Sequence, residues 1–537
     1  MASTHAMRHA RPRGLGALAL LWLVWLTGPY LLAAWMGRRH GLVFAGFLHN
    51  PYDNFTYLAK MAQGWHGAWV YRLAFTTQPG PGAPIFLYYL ALGHLARVLH
   101  APLLAVYHAA RLLNGLLLWA ALAYAVRRWF PQRPWSQRLA LGLALFGSGM
   151  GWLRLPFVPA EMPPDMGVPE AYPYLAGLTN PHFPLMLALL TALVLWPWSG
   201  PVTRRRRALW LALAALLSVI YPFGVVVALA ALGVGGLPGW WWQRMRRRLQ
   251  PAEATTNWPA AWHRALWVAL GGLPYPLYAL WAIRQDPTLV AWNAQNLTPS
   301  PAWWVMLLAL SPALPVGLYW MWEHWGQGRL PAGYQAPAWA QAVNSVFLSQ
   351  LPLALQRRFF AGAYPPAALG VVAGLEPLPQ PARRRWTLAV VGLSLPSTLL
   401  VLAGYLILMA QGSPVLYLTP DEQAALTWIR THTPAEAGFL SSPETGARIP
   451  ALADRPVVVG HPMETPQAAQ ATAFVRQVLC EPGDWQAKAR ATRERGAAYL
   501  FIGPREAAFC QGAPDEPQGL PVVFARGAVR IYALPAP

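Results

Sequence analysis

Charged residues are scarce in this sequence of 537 residues. Asp, Glu, Lys and Arg together make up 11% of it, whereas 55% is hydrophobic. A typical soluble domain has about 25% charged residues, so the composition excludes an ordinary soluble protein. It favours a chain that is surrounded by lipid along much of its length.

Cysteine and lysine are almost absent. Cys480 and Cys510 are the only cysteines, which excludes a cysteine-rich metal site. Both follow the last long hydrophobic run, where they form either one disulfide outside the cytoplasm or two free thiols. Lys60 and Lys488 are the only lysines, and this strong preference for arginine indicates a GC-rich bacterium.

The sequence also lacks the motifs of common soluble enzymes. It contains no phosphate-binding loop, no dinucleotide fingerprint and no serine nucleophile elbow. The net charge of +21 comes in short bursts of arginine between apolar runs rather than along one soluble face. This distribution argues against nucleic acid as a partner and for membrane lipid.

Long hydrophobic runs are what the sequence has in abundance. Residues 14–36 and 387–410 contain no charge, and each run is long enough to cross about 30 Å of hydrocarbon. We therefore predict a mainly α protein, with a transmembrane helical bundle over residues 1–410 and a small extracytoplasmic α/β domain over 411–537. About eleven spans are expected, at 14–36, 103–126, 139–154, 183–199, 207–221, 223–240, 265–283, 302–322, 338–355, 359–379 and 387–410.

The arginine bursts predict the orientation of the bundle. Positive charge flanks the cytoplasmic ends of spans, and with eleven crossings all four bursts lie in cytoplasmic connections. The first run is too long for a signal-peptide core, so it is a retained span of a multi-pass plasma-membrane protein with a cytoplasmic N-terminus. The basic leader carries Arg8, Arg11 and Arg13, and the bursts are Arg127/Arg128 through Arg138, Arg204 to Arg207, Arg244 to Arg248 and Arg383 to Arg385.

Two of the predicted spans are unusual. Segment 338–355 carries several polar residues and 359–379 is interrupted by proline, so we expect both to line the protein interior rather than to face lipid. The count also defines three long outer segments, 37–101, 155–182 and 284–301, which are the places where chemistry is expected.

The first outer segment contains a candidate general base. Asn50 can cap and Pro51 can open a helix that places Asp53 and Tyr57 one turn apart on one face, at the boundary between water and lipid. A carboxylate there is partly desolvated and still reached by solvent. The alternative is that Asp53 only complements the helix N-terminus.

A second apolar helix follows over 84–100, which we expect to lie along the outer interface with His94 and Arg97 toward water. Arg111 and Leu112 then enter the second span. The order and spacing of Asp53, Tyr57, Gly64, this tyrosine-rich helix and the Arg-Leu pair resemble the GT-C superfamily of membrane glycosyltransferases. The resemblance is to the bacterial branch of protein mannosyltransferases and lipid A aminoarabinose transferases. The chain departs from that pattern in having Asn54 where many members carry a second acid.

The resemblance implies an inverting sugar transfer outside the cytoplasm, from a donor carried on polyprenyl phosphate to an acceptor glycan, lipid or protein. It implies that Asp53 is the catalytic acid/base, with Tyr57 beside it. Arg357 and Arg358 follow the ninth span on the outer side, against the positive-inside bias, and paired guanidinium groups suit a leaving phosphate. Arg111 and Arg284 are weaker candidates for the same anion. The alternative is that the span count is shifted by one and these arginines are cytoplasmic anchors.

The second outer segment is acidic. Glu170 and His182 are candidates for a second catalytic or substrate-binding group, facing the acceptor or a divalent cation, although their spacing defines no metal site. For Glu161 and Asp165 we expect a solvated loop, and a helix-capping role is the alternative for His182.

The C-terminal domain is expected to be a small sheet with helices. Strands are predicted at 438–441, 456–460, 498–503, 522–525 and 528–532, with helices at 421–431 and 467–480. Loops 442–446 and 460–465 place two acids and a histidine at strand ends, where an acceptor could bind. Two other classes stay open, a secondary transporter and a non-catalytic membrane assembly subunit.

Overall fold

A computed structural model describes residues 13–158, 161–198, 200–249, 260–326 and 335–535. Arg8 and Arg11 of the basic leader lie outside the described residues. In the burst Arg244 to Arg248 only the helical backbone is described, not the side chains.

The first three quarters of the chain are almost entirely helical. The helices are α1 (Arg13–Arg39), α2 (Pro51–Trp65), α3 (Leu87–Leu99), α4 (Leu103–Trp129), α5 (Pro134–Phe146), α6 (Pro164–Gly167), α7 (Pro173–Ala176), α8 (His182–Leu190), α9 (Arg204–Ile220), α10 (Pro222–Leu249), α11 (Ala260–Gly272), α12 (Pro274–Arg284), α13 (Pro287–Gln295), α14 (Trp303–Leu310), α15 (Ala313–Gly326), α16 (Ala336–Leu348), α17 (Tyr364–Leu375), α18 (Gln380–Ser394) and α19 (Pro396–Ala410). Short 3₁₀ turns cover Gly151–Arg154 and Gln356–Phe360, and a π-helical turn covers Thr191–Leu195.

Four described helical stretches are long and apolar enough to cross a membrane. They are Gly14–Arg39, Leu103–Trp129, Ala260–Arg284 and Gln380–Ala410. A fifth is formed if α14 and α15, which are bent by 80° at Ser311-Pro312, count as a single broken span. These stretches confirm a multi-pass helical membrane protein. The expected count of about eleven is not established, because the helices at several other predicted positions are shorter, such as α5, α16 and α17.

Helices α16 and α17 lie inside the protein. All of α17 except Ala373 is buried, and Gln341 of α16 donates from its amide to the Gly362 carbonyl at 2.9 Å. This bond to backbone satisfies the amide N–H, whereas the Gln341 oxygen is buried without a partner among the described atoms. These two helices form the interior wall that their polar and proline-containing sequences predict.

Arginine-rich connections meet at one end of the bundle. Arg133 forms an ion pair with Glu376 at 3.2 Å, and the Arg383 guanidinium lies 5.2 Å from the centre of the Trp135 ring. The side chain of Arg138 lies against Gly14 at the start of α1. Two predicted bursts and the start of α1 are therefore neighbours, at the end of α1 opposite the loops that lead into α2.

A short β-ladder ties the end of α1 to the end of α19. Strand β1 (Val43–Phe44) pairs antiparallel with β2 (Tyr417–Leu418), and the Tyr417 hydroxyl donates to the Ala33 carbonyl at 2.9 Å. Strands of two residues carry no periodicity, so the sequence did not predict this ladder. It fixes where the C-terminal region leaves the bundle.

The C-terminal region is the predicted small α/β unit. Its helices are α20 (Pro420–His432), α21 (Pro443–Leu452), α22 (Ala468–Cys480), α23 (Trp485–Glu494) and α24 (Pro504–Cys510), and its strands are β3 (Gly438–Leu440), β4 (Ala497–Ile502), β5 (Val522–Arg526) and β6 (Val529–Ala533). The strand order is β3-β4-β6-β5, with β3 and β4 parallel and the remaining pairs antiparallel.

Local signals explain these elements. Thr419 and Glu422 form a reciprocal capping box at the start of α20, and Gly527 supplies the positive φ of 52° in the β5–β6 hairpin. The strand predicted at 456–460 is reduced to a single bridge between Val457 and Phe439. A disulfide joins Cys480 and Cys510, which decides between the two states that the sequence left open.

Candidate active site

Helix α2 carries the candidate base, and its start differs from the prediction. Asn50 occupies the N-cap position with a left-handed φ of 47°, but its side chain makes no capping hydrogen bond and instead donates to Asp53. Asn54 stabilises this turn, because its amide donates to the carbonyls of His49 and Asn50, each at 2.7 Å. The expectation that Asn50 caps the helix through its side chain is therefore wrong.

Asp53 faces the C-terminal region. Its Oδ1 lies 2.9 Å from Nε2 of His461, and its side chain is 42% exposed whereas that of His461 is 7% exposed. Burial raises the pKa of Asp53, but the hydrogen bond and the electrostatic interaction with His461, followed by the charges of Arg358 and Lys60, lower it more. The net result is a pKa below the usual carboxyl range, so Asp53 is ionised at neutral pH.

Two turns further along α2, Lys60 is completely buried and paired. Its Nζ lies 2.7 Å from Glu464, whose other oxygen accepts from the Tyr71 hydroxyl at 2.8 Å. The ammonium also lies over the rings of Tyr57, Tyr71 and Phe86, at 5.0, 5.0 and 4.4 Å from their centres. Burial lowers the pKa of Lys60, and Glu464 offsets part of that loss.

A third contact lies at the start of α2. The Tyr52 hydroxyl donates to Glu444 at 2.7 Å, and Arg505 binds the other oxygen of Glu444 at 3.2 Å. We call the three contacts Tyr52–Glu444, Asp53–His461 and Lys60–Glu464 the α2 junction. Through these three contacts the C-terminal region binds the helix that carries Asp53 at its first turn and again at Lys60.

A cavity of about 360 Å³ opens beside the α2 junction. One wall is apolar and comes from α9, α10 and α12, with Val219, Ile220, Val226, Leu280 and Ile283. The lining also contains polar side chains, which we call the polar end of the cavity; they are Tyr57, His182, Tyr221, Asn293, Asn296, Arg358 and Glu464. The cavity therefore suits a ligand with an apolar part and a polar part.

Arg358 is the cation of the polar end. Its Nε is buried with no partner among the described atoms, and its guanidinium lies 5.8 Å from the centre of the Phe223 ring. Burial lowers the pKa of Arg358, and the surrounding Tyr221, Tyr57, Glu170 and Asp53 raise it more. This arginine is positively charged and lines the cavity, and one of its N–H groups has no partner among the described atoms.

Most of the other predicted residues lie around the same end. Tyr57 stacks on Tyr89 with ring centres 4.3 Å apart, and Nδ1 of His182 lies 2.5 Å from the Tyr89 hydroxyl. Glu170 is buried behind the cavity, close enough to act electrostatically on Arg358 and Tyr57. Its backbone carbonyl accepts from Gly362 at 2.8 Å, which ties the second outer segment to the loop before α17.

Three predicted arginines lie outside the described lining of this cavity. Arg111 is 2% exposed, donates to the Gly177 carbonyl at 2.5 Å and lies 4.0 Å over the Tyr30 ring, so its guanidinium is used in packing. Arg284 is an exposed residue at the end of α12. Arg357 binds through its backbone N–H to the Thr298 carbonyl at 3.2 Å, and its Nε is buried without a partner in the described region.

Asp165 corrects another expectation, since it does not lie in a solvated loop. It is fully buried, accepts from Ser397 at 2.6 Å and from the Gly151 N–H at 3.1 Å, and burial raises its pKa to about 6. Glu161 is exposed beside Arg154, as expected. His182 begins α8 without capping it, because its ring is directed to Tyr89.

The sequence did not assign His461, Glu464 or Lys60 to the site. The loop 460–465 was noted only as a strand end with an acid and a histidine. His461 lies 408 positions from Asp53 along the chain, so no spacing rule connects them. The signal in the sequence is that Lys60, one of only two lysines, lies on the same predicted helix as Asp53, and a lysine that becomes buried requires a carboxylate partner.

Side chains that could bind a divalent cation are not clustered in the part of the chain that the structure describes. No group of three or more His, Cys, Asp or Glu side chains is placed there to hold a metal ion. Both oxygens of Asp53 already accept hydrogen bonds, from Asn50 and His461. The residues around Asp53 therefore do not form a ligand set for a cation.

Known structures share this fold. ArnT from Cupriavidus metallidurans, bound to undecaprenyl phosphate, is 15% identical with a TM-score of 0.51, and the alignment covers 97% of each chain. The oligosaccharyltransferase of Archaeoglobus fulgidus, in complex with zinc and sulfate, is 13% identical with a TM-score of 0.51 and 97% and 73% coverage of this chain and of that one. The apo form of the same protein is 14% identical with a TM-score of 0.50, and the alignment covers 92% of this chain and 70% of that one.

No family model matches the sequence, and no curated protein matches it. The similar structures are GT-C glycosyltransferases, so the likeness confirms the GT-C fold that the sequence resemblance implied. At these identities the likeness concerns the fold alone.

The buried pair in the α2 junction predicts a thermodynamic coupling. Lys60→Met leaves Glu464 buried without its cation, and breaking one side of such a pair costs about 3–5 kcal/mol. The double variant Lys60→Met/Glu464→Gln removes both charges and should lose less stability. Tryptophan fluorescence of the purified protein during heating measures both, since the chain has 29 tryptophans.

Lys488→Met is the matched control. Lys488 also binds a carboxylate at 2.7 Å, that of Asp515, but both side chains of that pair are partly exposed, so a smaller change in unfolding temperature is expected. Equal unfolding temperatures for Lys60→Met and the double variant would contradict the coupling.

Proposed function

We propose that this protein is a membrane glycosyltransferase. It transfers a sugar from a polyprenyl-phosphate donor to a hydroxyl of an acceptor glycan, lipid or protein on the extracytoplasmic face, with inversion at the anomeric carbon. The observation that supports this most is the cavity itself, whose lining combines an apolar wall with Arg358. The ionised Asp53 lies outside this lining, but it is close enough for the charge of Arg358 to lower its pKa. The GT-C fold, and the undecaprenyl phosphate bound to ArnT, support the same class.

The donor is proposed to lie along the cavity. Its polyprenyl chain contacts the apolar residues of α9, α10 and α12, and its phosphate binds Arg358. A guanidinium with a free N–H forms strong charge-assisted hydrogen bonds with phosphate. Arg357 is the neighbouring candidate, and Tyr57 and His182 are proposed to contact the sugar.

Asp53 is proposed to act as the general base. As the acceptor oxygen bonds to the anomeric carbon, its proton moves to the Asp53 carboxylate, while the bond from carbon to the phosphate oxygen breaks on the opposite face. The phosphate leaves with the bonding electrons, and Arg358 stabilises its increased negative charge. Glu170 is proposed as the second acid, which orients Arg358 from behind the cavity.

The proposed topology has eleven crossings, with the N-terminus in the cytoplasm and residues 411–537 outside. The helices found at all predicted span positions support it, as do the arginine bursts that meet at the end of α1 far from α2. This arrangement places Asp53, Arg358 and His461 on the outer face.

Asp53→Asn should reduce sugar transfer by about 10²–10⁴-fold, because the neutral amide cannot accept the acceptor proton. Donor binding should remain, since Arg358 is unchanged. The measurement is transfer of a labelled sugar from a polyprenyl-phosphate donor in proteoliposomes.

Asp454→Asn is the control for this substitution. Asp454 is a partly exposed acid with a left-handed φ of 58°, a conformation that asparagine tolerates, so activity should stay unchanged. Full transfer by Asp53→Asn would refute the base assignment. Donor binding without turnover by the wild-type protein would favour an assembly subunit.

Arg358→Gln should raise the KM for the donor by about tenfold or more, because a charged hydrogen bond to phosphate is lost. The exposed outer arginine Arg97 provides the control, and Arg97→Gln should leave this KM unchanged. We expect an intermediate effect for Arg357→Gln, which lies outside the described lining. An unchanged donor KM in Arg358→Gln would exclude it as the phosphate ligand.

Introduced cysteines test the topology, since both native cysteines are bonded to each other. In spheroplasts a membrane-impermeant maleimide should label Arg97→Cys, which is predicted outside. It should label Arg384→Cys, in a predicted cytoplasmic burst, only after permeabilisation. Labelling of Arg384→Cys in intact spheroplasts would contradict the eleven-span orientation.

A further inference from the structure

We infer that His461 of the C-terminal region is a positioning residue for Asp53, which orients the carboxylate through its Nε2–H and leaves the exposed side of the carboxylate to the acceptor hydroxyl. This inference rests on the proposed function, because it assigns a role within the same site. It also makes the C-terminal region part of the active site rather than an attached domain.

The tautomer of His461 follows from its hydrogen bonds. The backbone N–H of Met463 points to Nδ1 at 3.1 Å, so Nδ1 must accept and carries no proton. The proton of the neutral imidazole is therefore on Nε2, which lies 2.9 Å from Oδ1 of Asp53 and donates to it. Because Nδ1 is the acceptor, Nε2 carries the proton and is the donor to the carboxylate.

The same hydrogen bonds exclude His461 as the base itself. Nδ1 is occupied by the Met463 N–H, and Nε2 is the donor to Asp53, so neither nitrogen has a lone pair free for the acceptor proton. A carboxylate has about four lone-pair positions, and the bonds from Asn50 and His461 use two of them. The remaining positions of Asp53 lie on a side chain that is 42% exposed.

The loop around His461 is rigid enough for such a role. The His461 carbonyl accepts from the N–H groups of Glu464 and Thr465 at 3.1 and 2.9 Å, which closes a tight turn. Gln295 of α13 donates to the Thr465 carbonyl at 2.5 Å and holds the turn from the membrane side. On the other side, a Cβ on Gly460 would lie only 2.6 Å from the Phe75 ring, so the backbone and the ring are in close contact.

The neighbours of Asp53 determine the direction of its titration. Burial raises its pKa, and His461 makes the first two contributions that lower it, through its hydrogen bond and through its electrostatic interaction, followed by the charges of Arg358 and Lys60. Because the folded pKa is depressed, the base is active above this pKa and is lost as the pH falls through it. Removing the His461 donor should move that loss to higher pH. The charged and titratable groups that act on or respond to Asp53 are His49, Tyr57, Lys60, His182, Arg358 and His461.

The test compares pH profiles of kcat/KM for sugar transfer by the full-length protein. His461→Ala should shift the acidic limb upward by about one pH unit or more and lower kcat, while the donor KM stays within about twofold. His461→Gln keeps an amide N–H near the position of Nε2, so it should restore the limb toward that of the wild type. An unshifted limb in His461→Ala would overturn the inference, as would equal shifts in the two variants.

His66→Ala is the matched control. His66 also pairs through Nε2 with a carboxylate, that of Asp454 at 2.5 Å, but on an exposed surface away from Asp53, so its profile should match the wild type. Asp53→Asn separates the two levels of the proposal. If Asp53→Asn is fully active, the proposed function fails, whereas an inactive Asp53→Asn together with an unshifted His461→Ala refutes only the role of His461.

A spectroscopic readout needs no activity. With ¹⁵N-histidine labelling, the signal that disappears in His461→Gln should have the shifts of a neutral ring protonated on Nε2. A ring protonated on Nδ1, or on both nitrogens, at neutral pH would contradict the hydrogen bonds on which the inference depends. This result stands even if His461→Ala does not fold.

Discussion

The fold depends on how α2 is held, because this helix carries charge into a protein interior that tolerates charge only in pairs. Lys60 has no exposure to solvent, and its partner Glu464 comes from the far end of the chain. An unpaired ammonium in this position would cost far more than a surface ion pair contributes, so the C-terminal region must be docked before α2 is stable. Tyr52–Glu444 and Asp53–His461 then fix the first turn of the same helix. The candidate site is thus formed when the two regions dock through the α2 junction.

This constraint also explains the division of the cavity. Glu464 neutralises Lys60 from one side, so the only side chain at the polar end with an unsatisfied positive donor in the described lining is Arg358. Anions are therefore attracted to one point, and the apolar residues of α9, α10 and α12 lie beside it. A lipid phosphate meets both requirements, whereas a free anion would leave the apolar wall in water. Asp53 stays ionised close by, because its hydrogen bonds compensate for partial burial.

Much of the fold and part of the candidate site could be predicted from the sequence, because the length of a hydrophobic run and the position of an arginine burst are local signals. The first and last apolar helices, helix α3, four of the five predicted C-terminal strands and the helix with Asp53 and Tyr57 follow from such signals. The direction in which a side chain points, and its contacts with residues far away in the sequence, do not follow from local signals. Arg111, Arg357 and Arg358 have the same chemistry in the sequence, yet one packs on Tyr30, one lies outside the described lining and one reaches the cavity. The contact of His461 with Asp53 could not be predicted from the sequence, since only the docking of the two regions brings the two side chains together.

Asn54 has a structural role at the start of α2. Its amide donates to the carbonyls of His49 and Asn50, of which the Asn50 carbonyl also accepts from the Asn54 backbone N–H, and its oxygen accepts from the buried Tyr107 hydroxyl. A carboxylate at this position has no N–H, so both carbonyls would lose the side-chain donor and would face an anion. The proposed chemistry does not require a second acid here, because a phosphate leaves without being protonated and needs only a nearby cation, which Arg358 provides.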